Sequence, residues 1–271
     1  MENLKIAIIP TGSDATSDDL LHRICEDPAM LEFCTPIFYE NAKQEGKAFH
    51  DLDEGNVDAL VIAHTVEPAK CPPNTIEIIV TENTHFMLLT KEPTAEDIIR
   101  LRDILERDFD IRSPRIAIVL EGNIQNPELT TQVTNEQGIN TYGPYTQEQI
   151  LAKDMICHFD GIIVANGETM MQQIITALSL EAPVRYYAGW KSVVTSVYRP
   201  VHIEDAGDGL ADISELTHPI YTAVDIVHNR TFYDKARLNT LPKLFRDKRE
   251  DRKQNEEVQT NINNDNTEKA L

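Results

Sequence analysis

Residues able to do acid–base or ligand chemistry are few in this chain, and they gather behind short apolar runs. His64, with Thr65 and Glu67 beyond it, follows the run Val57 to Ala63. If that run is a strand of an open α/β sheet, its C-terminal end is where ligands bind. His64 and Glu67 are then candidate acids or bases, although a lone histidine there also suits an ordinary loop. Asn166-Gly167-Glu168-Thr169 stands in the same relation to Gly161 to Ala165 and opens a helical stretch. Asn166 or Gly167 would cap that helix and Glu168 would complement its dipole. A structural turn explains the segment, yet the position also lines whatever cleft exists. Thr11-Gly12-Ser13-Asp14 could turn backbone amides toward an anion. With neither GxGxxG nor GxxxxGK[ST] present, a plain strand-to-helix turn is the favoured reading. The histidines at 22, 50, 64, 85, 158, 202, 218 and 228 never occur as HxH, HExxH or HxxxH, and the four cysteines form no CxxC pair. Spacing therefore specifies no metal site.

The elements that must position these residues alternate along the chain. Strand candidates are Lys5 to Ile9, Val57 to Ala63, Thr75 to Val80, Phe86 to Leu89, Arg115 to Leu120, Gly161 to Ala165, Val184 to Tyr187 and Val193 to Val197. Several are apolar at consecutive positions, as strands covered on both faces are. The clearest helical pattern runs from Thr94 to Phe109, with Ile98, Leu101, Ile104, Leu105 and Phe109 on one stripe. Thr94 is the expected N-cap, and Asp97 three residues on completes a variant capping box. Further helices are expected over Ser17 to Cys25, Gln147 to His158, Met170 to Leu180 and Ile220 to His228. Such alternation predicts a layered α/β fold with a mostly parallel sheet. Beyond about Pro242 a mixed-charge run, Arg246 to Lys253, leads into a stretch dominated by Asn, Gln, Thr and Glu. A globular body over residues 1–245 and a disordered tail over 246–271 are expected.

The 271 residues are 41% apolar and 26% charged, an ordinary globular balance, with a formal net charge of −20. So acidic a surface disfavours nucleic acid and anionic membrane as partners. No apolar run approaches the ~20 residues that span a bilayer. The first ten residues enter a strand-like run without a basic flank or a small-residue cleavage site, so a cytoplasmic location is expected.

The segment Val184 to Asp212 resembles the C-terminal signature of the 4-hydroxythreonine-4-phosphate dehydrogenase family, approximately V-N-x-T-L-G-L-P-x-I-R-T-S-V-D-H-G-T-A-x-x-L-A-G-x-G-x-A-D. Gly189, Thr195-Ser196-Val197, Ala206-Gly207, Gly209 and Ala211-Asp212 match it without a gap. Glu54 to Val61 is similar to the family's G-E-x-D-A-L-V strand, Ile111 to Ala117 to its I-x-x-P-R-I entry, and Phe159 to Ile163 to its D-A-V strand. Gly138 to Pro144 resembles its G-x-x-x-x-G-P element. The resemblance covers roughly residues 45 to 230. It implies a two-lobed α/β/α architecture of the isocitrate/isopropylmalate dehydrogenase type, with a cleft between lobes, a trimmed N-terminal lobe and a homodimeric assembly. It also implies NAD-dependent oxidation of a phosphorylated hydroxy-amino acid, then metal-assisted decarboxylation.

The departures fall on the chemistry. The positions of the family's metal-binding histidines map to Ile124, Gly167 and Arg199, and the aspartate before the last becomes Tyr198. The arginine of I-R-T-S becomes Val194, and a loop lysine maps near Glu67. A divalent cation is not expected on such a set, because a guanidinium repels it. NAD remains implied by the resemblance alone. The expectation is a non-dehydrogenase member that binds a small anionic ligand, through Asn166, Thr195, Ser196 and Arg199, or that acts as a regulatory protein. The alternative is an oxidoreductase of altered chemistry in pyridoxal phosphate biosynthesis, with His64, Glu67, Glu168 or Tyr198 as acid or base.

Overall fold

A computed structural model describes residues 3–10, 21–39, 44–64, 71–81, 86–90, 93–120, 138–165, 168–177, 182–199 and 214–238. The chain divides into two compact units, Met1–Tyr233 and Asp234–Leu271. Beyond residue 238, including the expected tail 246–271, it lies outside the described residues.

In chain order the elements are β1 (Leu4–Ile9), a helical turn over 21–25, α1 (Pro28–Phe33), β2 (Cys34–Phe38), α2 (Glu45–Asp53), β3 (Ala59–Ile62), β4 (Ile76–Val80) and β5 (Phe86–Thr90). There follow α3 (Ala95–Phe109), β6 (Arg115–Leu120), β7 (Asn140–Tyr145), α4 (Gln147–Leu151), a 3-10 helix (Ala152–His158) and β8 (Gly161–Ala165). α5 (Glu168–Ala177), β9 (Val184–Ala188), β10 (Val194–Val197) and α6 (Ser214–Leu238) complete the set.

All ten strands form one sheet in the order β2-β1-β3-β10-β9-β4-β5-β8-β6-β7. The outer pairings are parallel, β2–β1–β3–β10 on one side and β5–β8–β6–β7 on the other. The three central pairings, β10–β9, β9–β4 and β4–β5, are antiparallel. Two four-stranded parallel blocks therefore point in opposite directions. The mostly parallel sheet is as expected. Its reversal of polarity places the C-terminal ends of β1, β3 and β10 on one edge and those of β5, β8 and β6 on the other.

Side-chain alternation along each strand sorts the core by face. One face carries Ile6, Ile8, Val61, Ile78, Leu88, Ile118, Ile163 and Tyr186, covered by α3, α6 and the 21–33 segment in one continuous cluster. The opposite face carries two separate clusters. Ala7, Ile9, Leu60, Ile62 and Val194 pack under α2. Met87, Ala117, Val119, Ile162 and Val164 pack with α4, α5 and the 3-10 helix.

Local signals explain the best-placed elements. Thr94 caps α3: its hydroxyl accepts from the Asp97 amide at 3.2 Å while Asp97 accepts from the Thr94 amide at 2.9 Å. Gly143 has φ 108°, and a Cβ there would come 2.7 Å from the Ile118 carbonyl oxygen, so β7 can lie beside β6 only with glycine at this point. The expected helix over Gln147 to His158 instead breaks after Leu151, where Ala152 turns extended at ψ 128° and a 3-10 helix takes over. The helix expected over Ile220 to His228 is longer, beginning at Ser214 with Pro219 inside it. Strands β2 and β7 add to those expected.

α3 and α6 are fastened to β9 through one carboxylate. Asp108, fully buried, accepts from Arg107 Nε at 2.7 Å, Arg230 Nε at 2.8 Å and the Tyr186 hydroxyl at 2.5 Å. Burial works against its charge, but the hydrogen bonds from Arg107 and Arg230 outweigh it and hold the carboxyl below the usual range.

Candidate functional site

Between the two clusters on the divided face, the central strands β10, β9, β4 and β5 carry a largely polar strip. Arg185 on β9 lies directly opposite Ser196 on β10 and Ile79 on β4, all on this face. Glu77 and Tyr187 form the next pair. Leu89, a floor residue from β5, is 40% exposed, unusual for leucine on a central strand. Across from the strands α5 presents Met171 and Gln172, and the Gln172 amide donates to the Tyr198 hydroxyl. Glu77, Ile79, Leu89, Met171, Gln172, Arg185 and Tyr198 enclose a cavity of about 260 Å³.

The charges in this cavity are loosely paired. Arg185 Nη1 stands 3.5 Å from Glu77 Oε1, longer than a charge-assisted bond, and its guanidinium carbon is 5.2 Å from the Tyr198 ring centre, within cation–π range. At the back of the strip, burial pushes the Tyr187 phenol up, and its oxygen is 3.4 Å from Ser196 Oγ. A guanidinium, a phenol and a carboxamide converging on apolar walls can bind a small molecule carrying an oxyanion.

The structure separates residues that the sequence placed in one motif. Thr195 points to the other face and donates to the Pro219 carbonyl at 2.8 Å, fixing α6. Ser196 is buried on the cleft face, and Tyr198 lines the cavity. Arg199 follows, half-buried, past the end of β10. His64, half-buried just beyond β3, is brought to that same edge because β3 and β10 run parallel with Ile62 opposite Ser196. Glu168 is the first residue of α5, the helix that carries Met171 and Gln172 to the cavity. Glu67, Ile124, Asn166 and Gly167 lie outside the described residues. Among the described residues no group of three His, Cys, Asp or Glu side chains could hold a metal ion.

Sequence reasoning missed Arg185, Glu77 and Gln172. The signal was present in Ile-Glu-Ile-Ile-Val and Val-Arg-Tyr-Tyr-Ala, where one charge interrupts an otherwise strand-like run. A larger cavity of about 500 Å³ opens on the undivided face beside α6, lined by Phe86, Phe109, His218, Asp225 and His228 among others. Among the described residues its lining includes no lysine or arginine.

A 4-hydroxythreonine-4-phosphate dehydrogenase from Bacteroides thetaiotaomicron is 31% identical to this chain over 293 aligned positions, covering 90% of this chain and 80% of that protein. The chain belongs to the 4-hydroxythreonine-4-phosphate dehydrogenase family. No family model matches it. A crystal structure of a family member from Burkholderia phymatum superposes with a TM-score of 0.51 at 14% identity, covering 83% of this chain and 99% of that one. Isocitrate dehydrogenase from Methylococcus capsulatus gives 0.50 at 11% identity, covering 86% and 88%. These likenesses bear on the fold, and they place the chain within the α/β architecture that the sequence resemblance implied. Of the three positions that the resemblance assigns to metal ligands, only Arg199 is described, and a guanidinium does not ligate a cation.

Proposed function

We propose that this member of the family does not carry out the family's oxidation and decarboxylation, and that it binds a small anionic molecule in the cleft. The observation that carries this reading is the pair Tyr198-Arg199 at the end of β10, where the family pattern has aspartate followed by a metal-binding histidine. Tyr198 lines the cavity and is held by Gln172 of α5. A positive group beyond it replaces a site built for a cation with one that attracts an anion. Without a Lewis acid to hold developing enolate charge, the decarboxylation has no electrostatic support in the mapped residues. A ligand-responsive regulatory role is compatible with such a site.

Isothermal titration with NAD, pyridoxal phosphate and phosphorylated amino acids tests the proposal. Saturable heat is expected with a phosphorylated ligand, and absence of heat with every compound contradicts a ligand-binding role.

The alternative, an oxidoreductase of altered chemistry, draws on the 31% identity to a dehydrogenase over most of the chain. It would use Tyr198 or His64 as the acid or base, and it predicts NAD reduction with a hydroxy-amino acid phosphate.

A further inference from the structure

Two of the partly buried arginines, Arg230 and Arg185, are used very differently. Arg230 is saturated: its Nε and Nη2 reach Asp108 at 2.8 and 3.2 Å, Nη2 also meets the Tyr186 hydroxyl at 2.7 Å, and Nη1 donates to the Lys191 carbonyl at 2.6 Å. Arg185 sits on β9, the strand that carries Tyr186, but on the opposite face. Its Nε is buried and has no hydrogen-bond partner among the described residues. Its ion pair to Glu77 is 3.5 Å long, and the Glu77 side chain is itself 40% exposed. A buried N–H without an acceptor costs free energy that a fold does not retain without compensation. The guanidinium is also held in place, stacked at 5.2 Å on Tyr198, whose hydroxyl is fixed by Gln172. Held between Tyr198, the Tyr187 phenol and a long ion pair to Glu77, it is a preorganised donor fork that is only partly used.

We infer that Arg185 is the residue that grips the ligand in this cleft, binding a carboxylate or phosphate oxyanion through its planar fork while Glu77 swings aside. The inference rests on the proposed anion-binding function and assigns that function to a residue. The family pattern has asparagine at this position, so the charge is a property of this chain. Glu77 acts as the competing internal anion: it weakens binding by occupying the fork and excludes ligands that cannot displace it. Ile79, Leu89 and Met171 admit a short aliphatic body beside the oxyanion.

The test is isothermal titration of the full-length chain and three variants, with phosphoserine, serine and inorganic phosphate as probes. Phosphoserine that binds where serine does not assigns the fork to phosphate, and equal binding of the two assigns it to carboxylate. Arg185→Gln should weaken the bound probe at least tenfold, Arg185→Lys should recover only part of that loss, and Glu77→Gln should tighten binding severalfold. Circular dichroism and the melting temperature of each variant establish that it folds. Binding by the wild-type chain that survives Arg185→Gln unchanged overturns the assignment while leaving the cleft function standing. Absence of binding by both the wild-type chain and Glu77→Gln overturns the cleft function and the assignment together.

Discussion

Asp108 has three charge-assisted or phenolic donors closing on it within 2.8 Å and no exposure to water. Removing one partner of such a network leaves buried charge behind. Asp108→Asn should cost ~3–5 kcal/mol, read from urea unfolding. The sign of its pH dependence follows from the lowered carboxyl. Asp108 contributes fully above the unfolded carboxyl value of ~3.9, and that contribution is lost as pH falls through the lower folded value. Acidification below about pH 4 should therefore destabilise the wild-type chain more steeply than Asp108→Asn. Burial pushes the Cys25 thiol up to about 12, whereas Cys157 is exposed. A thiol reagent at neutral pH should modify Cys157 in the native chain and reach Cys25 only on unfolding. Sequence could name residues in this way only where local geometry decides their role. The Thr94–Asp97 cap was legible because both partners lie within one turn. Thr195 and Ser196 read as a single motif, but the strand pleat sends one to α6 and the other to the cleft.

At the scale of elements, Thr94→Ala should destabilise the chain by ~1 kcal/mol through loss of the α3 cap, measurable as a shift of the urea midpoint. Gly143→Ala should cost more, ~1–3 kcal/mol, because a positive φ and a backbone clash coincide there. Strands β6 and β8 were legible to the residue, since Ile116 to Leu120 and Gly161 to Ala165 are unbroken apolar runs flanked by polar and turn residues. β2 and β7 were not. Cys-Thr-Pro-Ile-Phe is a short outer strand containing proline, and Asn-Thr-Tyr-Gly-Pro-Tyr shows no apolar alternation, so pairing with β1 and β6 makes them strands. The full extent of α6 was hidden by Pro219 and by a solvent-facing stripe that includes the 59%-exposed Phe232.

Across the whole molecule, the α/β class follows from the alternation of apolar runs and helical stripes, but the polarity reversal does not. Which strands become neighbours depends on long-range pairing: in the antiparallel centre β10-β9-β4-β5 two local pairs, β4–β5 and β9–β10, are joined by the distant pairing of β4 with β9. The cavity is a consequence of that centre, because the two clusters of the divided face pack over the parallel blocks and leave space between α5 and the central strands. The candidate residues at the end of β10 were therefore legible through family resemblance, while Arg185 and Glu77, in mid-strand, became visible only once the strip was assembled. On the proposed function, a dehydrogenase scaffold has kept its fold and lost the residues that would hold a cation. The most direct measurement is NAD reduction by the purified chain with 4-hydroxythreonine 4-phosphate, with and without added zinc. No NADH above the enzyme-free rate is expected in either condition; sustained turnover in either one would contradict the proposed loss of the family's activity.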